Sequence, residues 1–172
     1  MKTWLPFLLL CSLALSCAAQ NKGTAKVYGY KQGVLPGAPP KHVISENGRE
    51  VNPTLKPKFN YRIYLVTSKQ ATPTQLWING VGFKAQTFPV DHTPVEMENT
   101  NLPLEKKKTT LVPKTSQKVI QVAPGSAIEE KTSAKIKDLA QGNELLIVYE
   151  SGGKTYYSTL KKLNPLEPLA AQ

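Results

Sequence analysis

The stretch that decides the fold is ELLIVYESGGKTYYSTLKKL, residues 144–163. Leu145, Ile147 and Tyr149 alternate with Leu146 and Val148, so a strand here is apolar on both faces and belongs in the covered centre of a sheet. Gly152-Gly153 supplies the positive φ angles of a two-residue hairpin turn. That loop length fixes the register, with Ser151 opposite Lys154 and Tyr149 opposite Tyr156.

The same period of two recurs upstream. In KFNYRIYLVT, residues 58–67, Phe59, Tyr61, Ile63 and Leu65 face one way and Asn60, Arg62, Tyr64 and Val66 the other. TQLWINGVGF, 74–83, sets Asn79-Gly80 between two apolar runs, which predicts paired strands over 74–78 and 81–88 joined by a type I′ turn. Gly82 marks a bulge or a close backbone approach. Further strands are expected at 24–30, 42–46, 108–113 and 117–123. Segments 31–41 and 89–107 are rich in proline and charge and read as the weakest structure.

One segment, TSAKIKDLAQGN at 132–143, carries a helical pattern, with Ser133 as its cap, Ile136, Leu139 and Ala140 on one face and Gly142 at its end. It has a second reading. The spacing Ile136-x-x-Leu139-x-x-Gly142 before a two-faced strand and a hairpin resembles the corner ahead of the last two strands of immunoglobulin-like and fibronectin-III-like sandwiches. The fold expectation is therefore all-β, an antiparallel β-sandwich of that general kind, with at most one short helix.

Residues 1–19 form a signal peptide: Lys2 is a short positive region, Trp4 to Leu15 is apolar, and small residues follow. The run is shorter than the roughly 20 apolar residues of a membrane-spanning helix. Two processing readings stand. Cys17-Ala18-Ala19 suits a cut before Gln20, whereas Ala14-Leu15-Ser16 ahead of Cys17 resembles a bacterial lipoprotein signal and makes Cys17 a lipid-attachment site. Both place the protein outside the cytoplasm, in the periplasm or beyond it, or on the outer membrane through the lipid. The domain itself is expected over 20–163, with 164–172 as a flexible tail.

Cys11 and Cys17 are the two cysteines, so the domain has neither a disulfide framework nor a thiolate metal site. The 22 Lys and Arg exceed the 12 Asp and Glu by ten. Arg49 and Arg62 are the sole arginines, and specific readers of bases and phosphates use arginine's planar fork. The composition therefore points away from specific nucleic-acid binding and toward diffuse attraction to an anionic envelope polymer, a glycan or a protein partner. The contact candidates are the lysine run Lys106, Lys107 and Lys108, and Trp77, whose place beside the Asn-Gly turn suits stacking on a sugar.

Motifs for chemistry are sparse. His42 and His92 lie fifty residues apart in sequence. VDHTPVEME, 90–98, gathers Asp91, His92, Glu96 and Glu98 but lacks the glycine turn of an ion-binding loop, and reads as a solvated acidic loop. No serine lies in a Gly-x-Ser-x-Gly elbow, and GVLPG, INGVG and ESGGK lack the spacing of a phosphate cradle. No metal, cofactor or catalytic residue is expected. The functional expectation is an exported, non-catalytic binding or accessory module of the bacterial envelope. Two alternatives are a small hydrolase using carboxylates such as Asp91 and Glu96, and an assembly protein pairing through an exposed sheet edge, for which KTTLVP at 108–113 is the candidate.

Overall fold

A computed structural model describes residues 25–35, 43–44, 50–51, 58–98, 108–129 and 132–170. Its elements are β1 (Lys26–Leu35), β2 (Val43–Ile44), β3 (Glu50–Val51), β4 (Lys58–Thr67), β5 (Thr72–Ile78), β6 (Val81–Val90), β7 (Val95–Glu98), β8 (Lys108–Val112), β9 (Lys118–Ala127), α1 (Ala134–Gln141), β10 (Leu145–Ser151), β11 (Lys154–Leu160) and β12 (Asn164–Ala170). Leader, Cys17, His42, Lys106 and Lys107 lie outside the described residues.

The chain is mostly strand with one short helix. Eight strands form a single sheet in the order β11-β10-β5-β6-β9-β4-β1-β12, curled into a half-barrel; β2 with β3 and β7 with β8 form two separate ribbons. Every pairing is antiparallel except β1 with β12. The sheet is thus continuous, where the sequence suggested two facing sheets.

A short link accounts for the curl. β11 and β12 are the opposite edges of the sheet, yet only Lys161, Lys162 and Leu163 join them. Laid flat, eight strands at roughly 4.8 Å spacing would hold those edges some 34 Å apart, whereas four Cα–Cα steps reach about 15 Å. The edges must therefore come together at this end.

Alternation then sorts the side chains. Ile63, Leu65, Leu76, Ile78, Val122, Leu145, Ile147, Tyr149 and Leu163 pack as the inner core. Leu65, Leu76, Leu145 and Ile147 are wholly excluded from solvent, and burial of each contributes roughly 1.5–3 kcal/mol. The outer face is covered twice. Over β4, β9 and β1, the β7–β8 ribbon buries Leu111 and Val112 against Tyr64, Val66 and Val119, and the Tyr30 hydroxyl donates to the Leu111 carbonyl at 2.7 Å. Over β5 and β10, α1 buries Ile136 and Ala140 against Trp77, Leu146 and Val148.

The two-faced burial of β10 follows from that second cover, although β10 lies one strand in from the edge rather than at the sheet's centre. Its hairpin has the expected register, Ser151 to Lys154 and Tyr149 to Tyr156, with Gly152 and Gly153 at φ 56° and 71°. Asn79 and Gly80 take φ 50° and 80° in their turn. Helix α1 begins where Ser133 accepts a hydrogen bond from the Ile136 amide and ends at Gly142; the sandwich-corner reading of 132–143 gives way to this helix.

Three stretches expected to be loose are strands. Asn164–Ala170, placed in a flexible tail, pairs with β1 as an edge strand, where prolines 165 and 168 are tolerated because one side of an edge needs no donors. β1 continues through Gly33 to Leu35 with a bulge between Gln32 and Val34, and the buried Gln32 Nε2 donates to the Glu167 carbonyl beside it. Within 89–107, Val95 and Met97 turn inward while Glu96 and Glu98 face solvent, a period of two hidden between prolines.

Gly29 sits where the closed end packs. A Cβ there would lie 2.7 Å from Leu163, 2.9 Å from Leu160 and 3.0 Å from Leu145, whereas one on Gly33 would meet nothing nearer than 3.9 Å. Gly29→Ala is expected to destabilise the protein by about 1–3 kcal/mol through overpacking, and Gly33→Ala to stay within about 1 kcal/mol of the parent. Urea denaturation of the pair measures this; equal midpoints would refute the tight closure at Gly29.

Candidate functional site

Trp77 is 8 % exposed and lies beneath α1, so it is not an open platform for a sugar. Its ring crosses Gly82 on the paired strand, where a Cβ would come within 2.8 Å, and its indole N–H donates to Gln75 Oε1 at 3.2 Å. What approaches Gly82 is thus the indole ring, where the sequence suggested a bulge or a neighbouring backbone.

Lys108 at the start of β8 faces Glu96 at 3.6 Å and Glu98 at 3.8 Å. All three side chains are substantially exposed, and pairs of this kind stabilise little. Asp91 and His92 are exposed at the turn between β6 and β7. No group of three or more metal-ligating side chains comes together among the described residues, and neither Asp91 nor Glu96 lines any of the three clefts described below.

The first cleft, about 400 Å³, lies at the closed end between the Asn79-Gly80 turn and the loop after α1. Its organiser is Glu144. This carboxylate accepts from the Leu163 amide at 2.8 Å and from Lys31 Nζ at 3.1 Å, while its own backbone receives the Asn79 amide and donates to the Lys161 carbonyl. Lys161 in turn donates to the Gly142 carbonyl at 2.8 Å. The Leu163 amide, and after it the Lys31 ammonium, hold the Glu144 carboxyl below the usual glutamate range. These bonds tie β1, the Asn79-Gly80 turn and the 161–163 link to Glu144, which marks this corner as a brace.

The second cleft, about 710 Å³, opens where β6 parts from β5 beyond the Gln75–Lys84 pair to run along β9. Thr74, Gln75, Lys84, Ser126 and Glu129 rim it.

The third, about 250 Å³, lies between the start of β1, the end of β4 and the β8–β9 turn, and is the best candidate for binding. Val66 and Val112 form a buried apolar floor, beside the Tyr28 ring. Lys26 from β1 and Lys114 from the β8–β9 turn supply the charge. Lys26 Nζ lies 4.8 Å from the Tyr28 ring centre, a cation–π contact that orders both groups. The turn is held too: Thr93 Oγ1 donates to the Thr115 carbonyl and accepts from the Thr115 amide, and Thr115 Oγ1 accepts from the Gln117 amide.

Sequence reading missed this cleft because its two lysines are isolated in sequence, on segments 88 positions apart. PKTSQK at 113–118, a lysine-flanked polar turn between strands, was its local signal. No family model, no curated protein and no solved structure matches the chain.

The Glu144 brace predicts a definite pH response. Because its folded pKa is lowered, its contribution is complete above the ordinary glutamate range and is lost as pH falls through the lower folded value. Glu144→Gln is expected to be less stable than the parent at pH 7, with the gap narrowing toward pH 3. Thermal melts across that range test it, and a gap that stays constant would argue against the brace.

Proposed function

We propose that this chain is an exported, non-catalytic β-protein that acts as a binding or accessory module of the bacterial envelope and holds anionic glycan in the cleft of Lys26 and Lys114. The observation that carries the reading is the pairing of two lysines with an ordered tyrosine ring over an apolar floor. An acidic sugar has the complementary make-up: a carboxylate for the ammonium groups and an apolar pyranose face for the ring. The lysine excess adds long-range attraction that salt screens. A leader ending at Ser16, ahead of a lipid-bearing Cys17, or at Ala19 supports export, by lipid anchor or as free protein.

A sandwich-like reading of the fold belongs with this proposal. Its support is that Leu65 and Leu76, from opposite arms of the curl, share one core, which is how a sandwich buries its inner faces.

Binding of polygalacturonate, a polymer of sugar acids, tests the site. The parent is expected to bind at low salt and to release the polymer at high salt. Lys26→Ala combined with Lys114→Ala is expected to weaken binding about 5- to 20-fold, as for the loss of two partly exposed charge contacts. Unchanged affinity in the double variant, or equal binding of uncharged dextran, would refute the assignment.

A further inference from the structure

We propose that the free edge of β11 takes up an extended, acidic peptide segment of a partner protein as an added strand. This concerns a different surface from the Lys26–Lys114 cleft and stands independently of what that cleft binds.

The two edges of the main sheet are built differently. β12, at one edge, carries Pro165 and Pro168 and meets β1 through a bulge. Prolines and bulges are devices that stop an edge from pairing further. β11, at the other edge, runs seven residues as KTYYSTL without proline, and its register with β10 is unbroken from Lys154 to Leu160. Threonine and tyrosine dominate it, residues suited to a pleated strand.

The hairpin geometry identifies the groups on offer. A two-residue turn closes on a doubly hydrogen-bonded pair, here Ser151 with Lys154, and such pairs then alternate along the ladder. Lys154, Tyr156, Ser158 and Leu160 thus bond to β10, while the N–H and C=O groups of Thr155, Tyr157 and Thr159 point away from it. Among the described residues no strand pairs with that side. The short β11–β12 link keeps the Leu160 end against β1, but β12 pairs with β1 only from Tyr30 onward. Among the described residues, β1 residues 26–29 therefore also have no paired strand on their β11 side.

Charge selects the partner. β11 contains no acidic residue, starts at Lys154 and is followed by Lys161 and Lys162, and Lys135 on α1 reaches over the Tyr157 ring at 4.6 Å. Glu150, opposite Thr155 on β10, sits at the turn end. A second copy of this edge would bring lysines against lysines, which disfavours self-pairing, whereas an acidic strand gains both ladder bonds and charge complementarity.

The probe is a capped seven-residue peptide alternating valine with glutamate, and the readout is amide hydrogen exchange in the protein. Without peptide, the amides of Thr155, Tyr157 and Thr159 are expected to exchange quickly and those of Tyr156 and Ser158 slowly. With peptide, the first set is expected to slow about ten-fold or more. The same peptide N-methylated at successive residues, so that neither edge can donate, should bind about ten-fold more weakly, as should one with lysine for glutamate. Four results would overturn the proposal: protection of Thr155, Tyr157 and Thr159 in the free monomer, which would mean that the chain covers its own edge; protection rising with protein concentration alone, which would mean a second copy; equal binding of the N-methylated peptide; or no binding at millimolar peptide.

Discussion

The link Lys161-Lys162-Leu163 governs the architecture. It joins the two outermost strands of an eight-stranded sheet, so one end of that sheet must close, whatever else the sequence prefers. The residues around the link are built for this. Leu163 is buried in the inner core, its amide binds Glu144, and Gly29 removes the side chain that would keep β1 away.

A sheet curled this far has a crowded concave face and a convex face too wide to remain bare. The two covers solve the second problem by different means. The β7–β8 ribbon lays Leu111 and Val112 on the tyrosine- and valine-bearing strands, and α1 lays Ile136 and Ala140 on Leu146, Val148 and Trp77. The cleft of Lys26 and Lys114 lies at the junction of ribbon and sheet. It depends on neither layer alone, and for that reason no single segment announces it.

Local pattern made the hairpins legible. Asn79-Gly80, Gly152-Gly153 and the alternation in 145–149 specify turns and faces without reference to the rest of the chain. The short helix could be read as well, since Ser133, Ile136 and Gly142 each stand at the position that a cap, a buried face and a stop require. Proline misled in the opposite sense: Pro165 and Pro168 suggest a loose tail, yet they sit on an edge strand, where proline is tolerated, and that strand pairs with β1. The single-sheet topology was hidden because alternation reports which face a residue occupies and not which strand lies beside it. Trp77 shows the same limit at a site. Its neighbours in sequence place it by a turn, and only the packing of α1, sixty residues on, puts it indoors.

The pairing of β12 with β1 also sets an order in time. β4 can join β1 early, because a connection of moderate length separates them, but the parallel partner of β1 lies far along the chain, with Tyr30 set against Asn164. Completion of the sheet therefore waits for contacts that span almost the whole domain, a topology that folds slowly. During that interval β1 stays half-paired, and the unfinished protein is a chain that has made its hairpins but not yet joined its two edges.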